Sequence, residues 1–402
     1  MISVKYLILG AGPSGLSFAL TLLDRGENSF LILEKEDTAG GLCRSTNVDG
    51  HPLDIGGGHF LDLRNKHVLD FIFRFLPEEE WLEHERRSAI KLNDYELNYP
   101  FESNLWQLPI ELQLEYLESI ATSGCFQGAP EPDFFEDWIV WKLGDKIADD
   151  YLLPYNRYNR KIWAVDLNRL GTYWLYKLPD INFRDALRAC LEKRVHGKIP
   201  AHPKFLYPKK YGYGEVWKRM GEVLGGRLRV STPVLSLDSD SLVVNGEFQA
   251  TKIVSTIPWT YYKHFGGVPT RIKEAIDRLE YTSIKTTYSS KTPENDAHWI
   301  YLPDENVPFH RILCRSQFCF GSRGCCTETN LKRAERDGEW SHINEYAYPL
   351  NTIEKPKAIT MILEWAKSKS IYGLGRWGEW EHMNSDVSVD RGMRLARILT
   401  DC

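Results

Sequence analysis

No stretch of the chain holds 18 consecutive apolar residues, so none reads as a membrane-spanning helix. A basic excess is missing as well: 50 Lys and Arg stand against 55 Asp and Glu, a formal net charge of -5. Polyanions are gripped by a basic face, so nucleic acid and anionic membrane are excluded as partners. The eight cysteines lack paired C-x-x-C spacing. Their one cluster, Cys314, Cys319, Cys325 and Cys326, is read as free thiols in preference to a zinc site, and no metal is expected. The opening MISVKYLILGAGPSGL has a single early Lys and runs into glycines instead of a cleavage site, which predicts a cytoplasmic protein. At 402 residues, with 43% hydrophobic and 26% charged, the chain is too apolar for disorder and long enough for about two to three domains. What it has in quantity is aromatic: 13 Trp, 20 Tyr and 17 Phe. Most must be core, yet the surplus suits a protein that grips a flat ring or a sugar.

The apolar run Lys5–Leu9 has strand length, and Gly10-Ala11-Gly12-Pro13-Ser14-Gly15 follows it directly. Apolar residues then recur at helical spacing. In this strand–G-x-G-x-x-G–helix order, Gly10 permits the tight turn and Gly12 the approach of a pyrophosphate. Gly15 permits close helix–strand packing, and the helix N-terminus takes the phosphates. A second strand, Phe30–Leu33, ends in Glu34, a carboxylate suited to a ribose 2′-hydroxyl, followed by Lys35. Gly40-Gly41-Leu42-Cys43-Arg44 and Asp54-Ile55-Gly56-Gly57-Gly58-His59 come next, where a nicotinamide-binding domain would continue with βα units. Glycine in such pairs fits backbone lying along a ligand. The spacing resembles FAD-binding flavoproteins of the amine-oxidase and protoporphyrinogen-oxidase type.

Further motifs narrow the resemblance: Tyr99-Pro100-Phe101, the N-x-K-x-W-A-V run from Asn159 through Trp163 to Val165, and W-x-Y-x-P-x-x-x-x-P-F-x-R from Trp299 to Arg311. With Tyr348-Pro349 and the segment Gly375–Ser388, they occur in order over nearly the whole chain and resemble the UDP-galactopyranose mutase family, above all its eukaryotic-type branch.

That resemblance implies a flavoenzyme without net redox turnover. Reduced FAD attacks the anomeric carbon of a nucleotide- or nucleoside-linked sugar through N5, and the ring recloses at another hydroxyl, interconverting pyranose and furanose. NADH and NADPH are candidate electron donors, and a homodimer is among the assemblies it admits. A nucleophilic cofactor leaves the protein to bind, orient and stabilise charge, which accounts for the missing Ser/His/Asp constellation. The resemblance assigns catalytic roles to His59, beside the flavin ring, and Arg311. It assigns cofactor contacts to Gly10, Gly12, Pro13, Ser14, Gly15, Glu34, Lys35, Gly41, Leu42 and Arg44, and to Gly57, Gly58 and His59. Val234, Arg376, Asn384, Asp386, Val387 and Ser388 complete that set. Substrate contacts fall on Tyr99, Phe101, Glu102, Asn159, Trp163, Lys177, Tyr301, Arg311, Tyr348 and His382, although Trp163 fits a core position equally well.

Three positions depart from the pattern. A second diphosphate-binding Arg falls on Leu178, with Lys177 beside it; His382 stands where a Tyr is expected; Glu102 stands for a Gln near the nucleobase. The departures touch the nucleotide side and spare the flavin side, so the leaving group is expected to differ from UDP. The fold expected is α/β: a discontinuous Rossmann-like FAD domain (1–88, 191–258, 366–402), a helical substrate insert (89–190) and an antiparallel sheet domain (259–365). The rival function is an FAD-dependent oxidoreductase of the amine-oxidase type.

Overall fold

The computed structural model describes residues 1–158, 163, 165–175, 178, 180, 182–197, 202–334 and 338–401. Strand β1 (Ile2–Leu9) ends in Tyr6-Leu7-Ile8-Leu9, all fully buried, as a strand covered on both faces must be. It pairs in parallel with β2 (Phe30–Leu33) on one side and with Phe248–Ser255 on the other. Leu228–Arg229 extends the sheet beyond β2, and Ile371–Gly373 extends it beyond Phe248–Ser255, again in parallel. Strands from three separated parts of the chain thus build one Rossmann-like sheet. Helix α1 (Pro13–Asp24) crosses from β1 to β2 and is buried along its length from Ser14 to Leu22. The covering layer is the C-terminal helix Ser385–Thr400. Its Gly392 lies so close that a Cβ there would stand 2.1 Å from Ser17 Oγ.

The second sheet is antiparallel through Trp340–Pro349, Tyr281–Ser289, Cys325–Asn330, Arg311–Cys314 and Trp299–Tyr301. It then continues into Ser88–Leu92 and Tyr95–Asn98. This last hairpin falls at the start of the stretch expected as a helical insert (89–190). Ile90-Lys91-Leu92 and Tyr95-Glu96-Leu97-Asn98 alternate apolar and polar residues, so the strand period is present in the sequence. Ser88, Ala89 and Ile90, consecutive and all buried, interrupt it only at the first strand's start. The chain reverses at Asn93 and Asp94, with Asn93 in the left-handed region (φ 50°). Trp81–Glu85 is likewise a strand, paired with Lys204–Pro208 in a small third sheet. The helices Ile110–Thr122, Phe135–Leu143 and Phe183–Glu192 form the insert beyond the hairpin. Among the described residues no helix is long and apolar enough to cross a membrane.

Candidate functional site

A cavity of about 470 Å³ lies between the parallel sheet and the strand Trp340–Pro349, within the size range of small-molecule sites. Its floor is the glycine turn: Gly10, Gly12, Pro13 and Ser14. Gly10 adopts φ 99°, and a Cβ on it would sit 2.4 Å from Thr256 Oγ1. A Cβ on Gly15 would lie 2.2 Å from the Gly10 carbonyl oxygen, so this glycine holds the turn together without lining the cavity. Gly12 is different, with no protein atom within 4 Å of a Cβ there. No side chain caps the N-terminus of α1, which opens on the same space. Together these leave a backbone cradle with the positive end of a helix dipole, the arrangement that receives phosphate.

One end of the cavity is formed by Glu34 and Lys35. Buried Glu34 accepts the Ala11 N–H at 2.7 Å on one oxygen and the Glu36 N–H at 3.0 Å on the other. Its remaining lone pairs face the cavity, where a ribose hydroxyl would donate. Gly41, Leu42, Arg44 and Val234 line the walls, as do His59, Arg376 and Ser388. Gly57 and Gly58 stand behind His59 instead, packed onto the antiparallel sheet. Asn384, Asp386 and Val387 do not line the cavity although Ser385 and Ser388 do. Asn384 Nδ2 lies 3.0 Å from His202 Nε2, Asp386 is buried, and Val387 turns outward with 37% exposure.

His59 Nδ1 is buried with no hydrogen-bond partner among the described residues, an orphan that a bound group in the cavity would satisfy. Burial, with the Arg376 charge second, lowers its pKa to about 4. The imidazole is therefore neutral throughout pH 5 to 8. We expect the pH dependence of kcat/KM over that range to have the same shape in wild type and His59→Gln. A wild-type inflection that the variant lacks would contradict this.

Beyond the cavity the strands bring a second group together. Arg311 donates to both oxygens of Glu328, Nε at 2.7 Å and Nη2 at 2.9 Å, and Nη2 lies 3.4 Å from the Tyr348 hydroxyl. Glu328 is 1% exposed; burial alone would raise its carboxyl, but the Arg311 charge and His310 outweigh it and hold it at about 2. Tyr301 packs on Tyr99 at 5.4 Å between ring centroids, and its hydroxyl accepts from Arg86 at 3.1 Å. Tyr348 meets His382 edge-on at 5.1 Å and Trp163 at 6.4 Å. Arg376 lies over the Tyr348 ring at 5.7 Å while donating to the carbonyls of Ala347 and Met383. It therefore joins the two groups.

Among the remaining residues of the substrate set, Phe101 is fully enclosed, stacked on Tyr151 and edge-on to Tyr116, and presents no surface to a ligand. It anchors the turn that carries Tyr99. Trp163 is 6% exposed and donates to Asn156 Oδ1 at 3.0 Å, which makes it chiefly a packing residue with one edge on Tyr348. Asn159 and Lys177 lie outside the described residues. Sequence reasoning missed Arg86 and Glu328. Arg86 sits in no motif, whereas Glu328 is the direct cross-strand partner of Arg311, so the pairing register alone would have found it.

A family model of flavin containing amine oxidoreductases matches residues 13–289. The chain belongs to that family. A solved structure of reduced UDP-galactopyranose mutase superposes with a TM-score of 0.88 at 23% identity, covering 99% of this chain and 96% of that one. The UDP-galactopyranose mutase of Mycoplasma pneumoniae is 22% identical over 98% of this chain and 96% of its own length. Cyclohexylamine oxidase from Brevibacterium oxydans has a TM-score of 0.69 at 14% identity over 99% of both chains. Two shorter matches to curated proteins span half the length of one and 12% of the other. The flavin-enzyme fold is thus established, and this member of the family is a divergent one with the mutase architecture.

Proposed function

We propose that the protein is a flavin-dependent mutase that interconverts the pyranose and furanose forms of a nucleotide- or nucleoside-linked sugar. The observation that carries this reading is the cluster of Arg311, Tyr301 and Tyr348 beside the cavity, reached from it across Arg376. A guanidinium flanked by phenols suits phosphate oxygens: Glu328 takes Nε–H and one Nη2 proton, the remaining N–H groups on the outer edge can donate to phosphate, and the group never deprotonates. The chain's own work is to hold the carrier phosphates there and so place the sugar's anomeric carbon against the cavity. Glu328 fixes the guanidinium plane from behind. Neutral His59 offers a single hydrogen bond without adding charge. FAD is the cofactor we assign to the cavity, with Gly12 and the α1 N-terminus at its pyrophosphate and Glu34 at its ribose. In its reduced form it supplies a nucleophile for the anomeric carbon.

The test is dependence on reductant. Under anaerobic conditions with dithionite, NADH or NADPH, the purified flavoprotein should convert the ring form of its sugar without stoichiometric reductant consumption, read by proton NMR. Turnover in air without added reductant, with hydrogen peroxide appearing in step with product, would make it an oxidase and sink the mutase reading.

A further inference from the structure

The position of the expected second diphosphate-binding Arg, Leu178, packs against the apolar cluster of Trp163 and Trp174 together with Tyr348. Glu102, another of the departures, is a buried acid that does not line the cavity. A further guanidinium does stand beside the phosphate cluster, and it comes from a different part of the chain. Arg86 is partly buried in the two-residue link between the strands Trp81–Glu85 and Ser88–Leu92. It is held from several sides. Its backbone N–H donates to the Pro203 carbonyl at 2.8 Å and its Nε to Ser88 Oγ at 3.0 Å. The guanidinium lies over the rings of Trp299 at 5.1 Å and Tyr99 at 5.6 Å. So placed, Nη2 donates to the Tyr301 hydroxyl at 3.1 Å.

A phenol has one proton to donate and an oxygen that accepts. With the Tyr301 oxygen taken by Arg86, its O–H is the donor that remains for a ligand. The same arrangement recurs nearby: Arg311 Nη2 donates to the Tyr348 hydroxyl at 3.4 Å. Tyr301 and Arg311 are direct cross-strand partners, so the two Arg–Tyr couples share one face of the sheet. A guanidinium behind a phenol polarises the O–H and makes it a stronger donor to an anion. Arg311 is matched in charge by Glu328, so that pair supplies direction more than net charge. Arg86 brings positive charge to the Tyr301 side. We propose that Arg86 is a positioning residue of the phosphate site, acting on a diphosphate ester through the Tyr301 hydroxyl and standing in for the Arg expected at Leu178. Two phosphates then meet two Arg–Tyr couples. The inference rests on the nucleotide-sugar reading above and adds to it a residue that no motif contains.

The experiment measures binding of UDP, GDP, ADP and CDP to the FAD-loaded protein at pH 7.5 by calorimetry. Arg86→Met, which fills the space beside the two rings without the charge, should weaken the tightest of the four roughly 10-fold or more. Arg86→Lys keeps a charged donor for the phenol oxygen and should recover most of that loss. Equal affinity in the Lys and Met variants would show packing alone and overturn the proposal. Tyr301→Phe leaves Arg86 in place and removes only the hydroxyl, so it should cost a similar factor. It decides the matter if the Arg86 variants fold poorly. In the Tyr301→Phe background, Arg86→Met should cost less than about 3-fold more, because the link to phosphate is already cut. Full additivity of the two, or a Tyr301→Phe protein that binds like wild type, overturns the relay and leaves the mutase reading standing. No binding of any of the four to the wild-type protein overturns both this inference and the nucleotide form of that reading.

Discussion

Arg311→Ala should lose about 100-fold or more in kcat/KM while its bound flavin, read by absorbance after purification, stays near wild type. The factor is that for removing a placed donor from developing or resident anionic charge. Flavin is retained because Arg311 touches Glu328 and Tyr348 and does not line the cavity. Loss of flavin together with activity would show that the residue serves the cofactor instead. The same substitution takes the strongest cation from Glu328, a carboxylate with 2% side-chain exposure, and leaves it His310 Nε2 at 3.2 Å; breaking a buried pair of this kind costs about 3–5 kcal/mol. Arg311→Met with Glu328→Leu removes both charges and should recover most of that stability without recovering activity. The double variant thus separates the role of the cation toward ligand from its role in the fold.

Acid sensitivity gives an independent reading of the same pair. Glu328 is held at about 2, below the usual carboxylate value near 4.5, so its contribution to stability is complete above about 4.5 and drains away as pH falls toward 2. Removing the Arg311 charge removes the chief force holding the carboxyl down. The stability of Arg311→Ala, measured by denaturant unfolding, should therefore fall less steeply than wild type between pH 4.5 and 3. Parallel slopes would show that other carboxylates dominate acid unfolding.

What could be read from the sequence and what could not divide along one physical line. Gly10, Gly12, Gly15 and Glu34 form a local device, two strands and a helix within some thirty residues, whose chemistry is written in spacing. Arg311 and Tyr348 are 37 residues apart and meet only because their strands are joined through Cys325–Asn330 and Tyr281–Ser289 in one sheet. Resemblance supplied their roles; periodicity could not. Glu328 shows the difference most clearly, since it is an ordinary Glu in CCTETN until the register sets it opposite Arg311. Phe101 failed in the opposite way. Its motif is that of a ligand wall, but a neighbouring Tyr116 and Tyr151 enclose it on both sides.

Gly57 is where the two halves of the site touch, and Gly57→Ala should disable both. The residue adopts φ 84°, a conformation costing an L side chain about 1–2 kcal/mol. The added Cβ would also lie 1.9 Å from Glu328 Oε1, 2.9 Å from its Cδ and 3.7 Å from Arg311 Nη2. Glu328 cannot swing aside without leaving Arg311, because it is enclosed and bonded on both oxygens. The loop cannot retreat on its own terms either: a Cβ at the next residue, Gly58, would stand 2.6 Å from Leu313 Cδ2 and from Trp299 Nε1, so the chain there has no slack. Either the pair breaks or His59 is carried off the cavity wall. Gly57→Ala should then lose about 3 kcal/mol or more of stability, together with most activity. Gly12→Ala is the matched control, since its Cβ meets no protein atom within 4 Å and protrudes where a ligand lies. That variant should unfold like the wild-type protein when both are stripped of flavin, and bind the cofactor more weakly. Equal stability losses in the two flavin-free variants would mean that the glycines serve only the turns, and that the His59 loop and Arg311 are not mechanically joined.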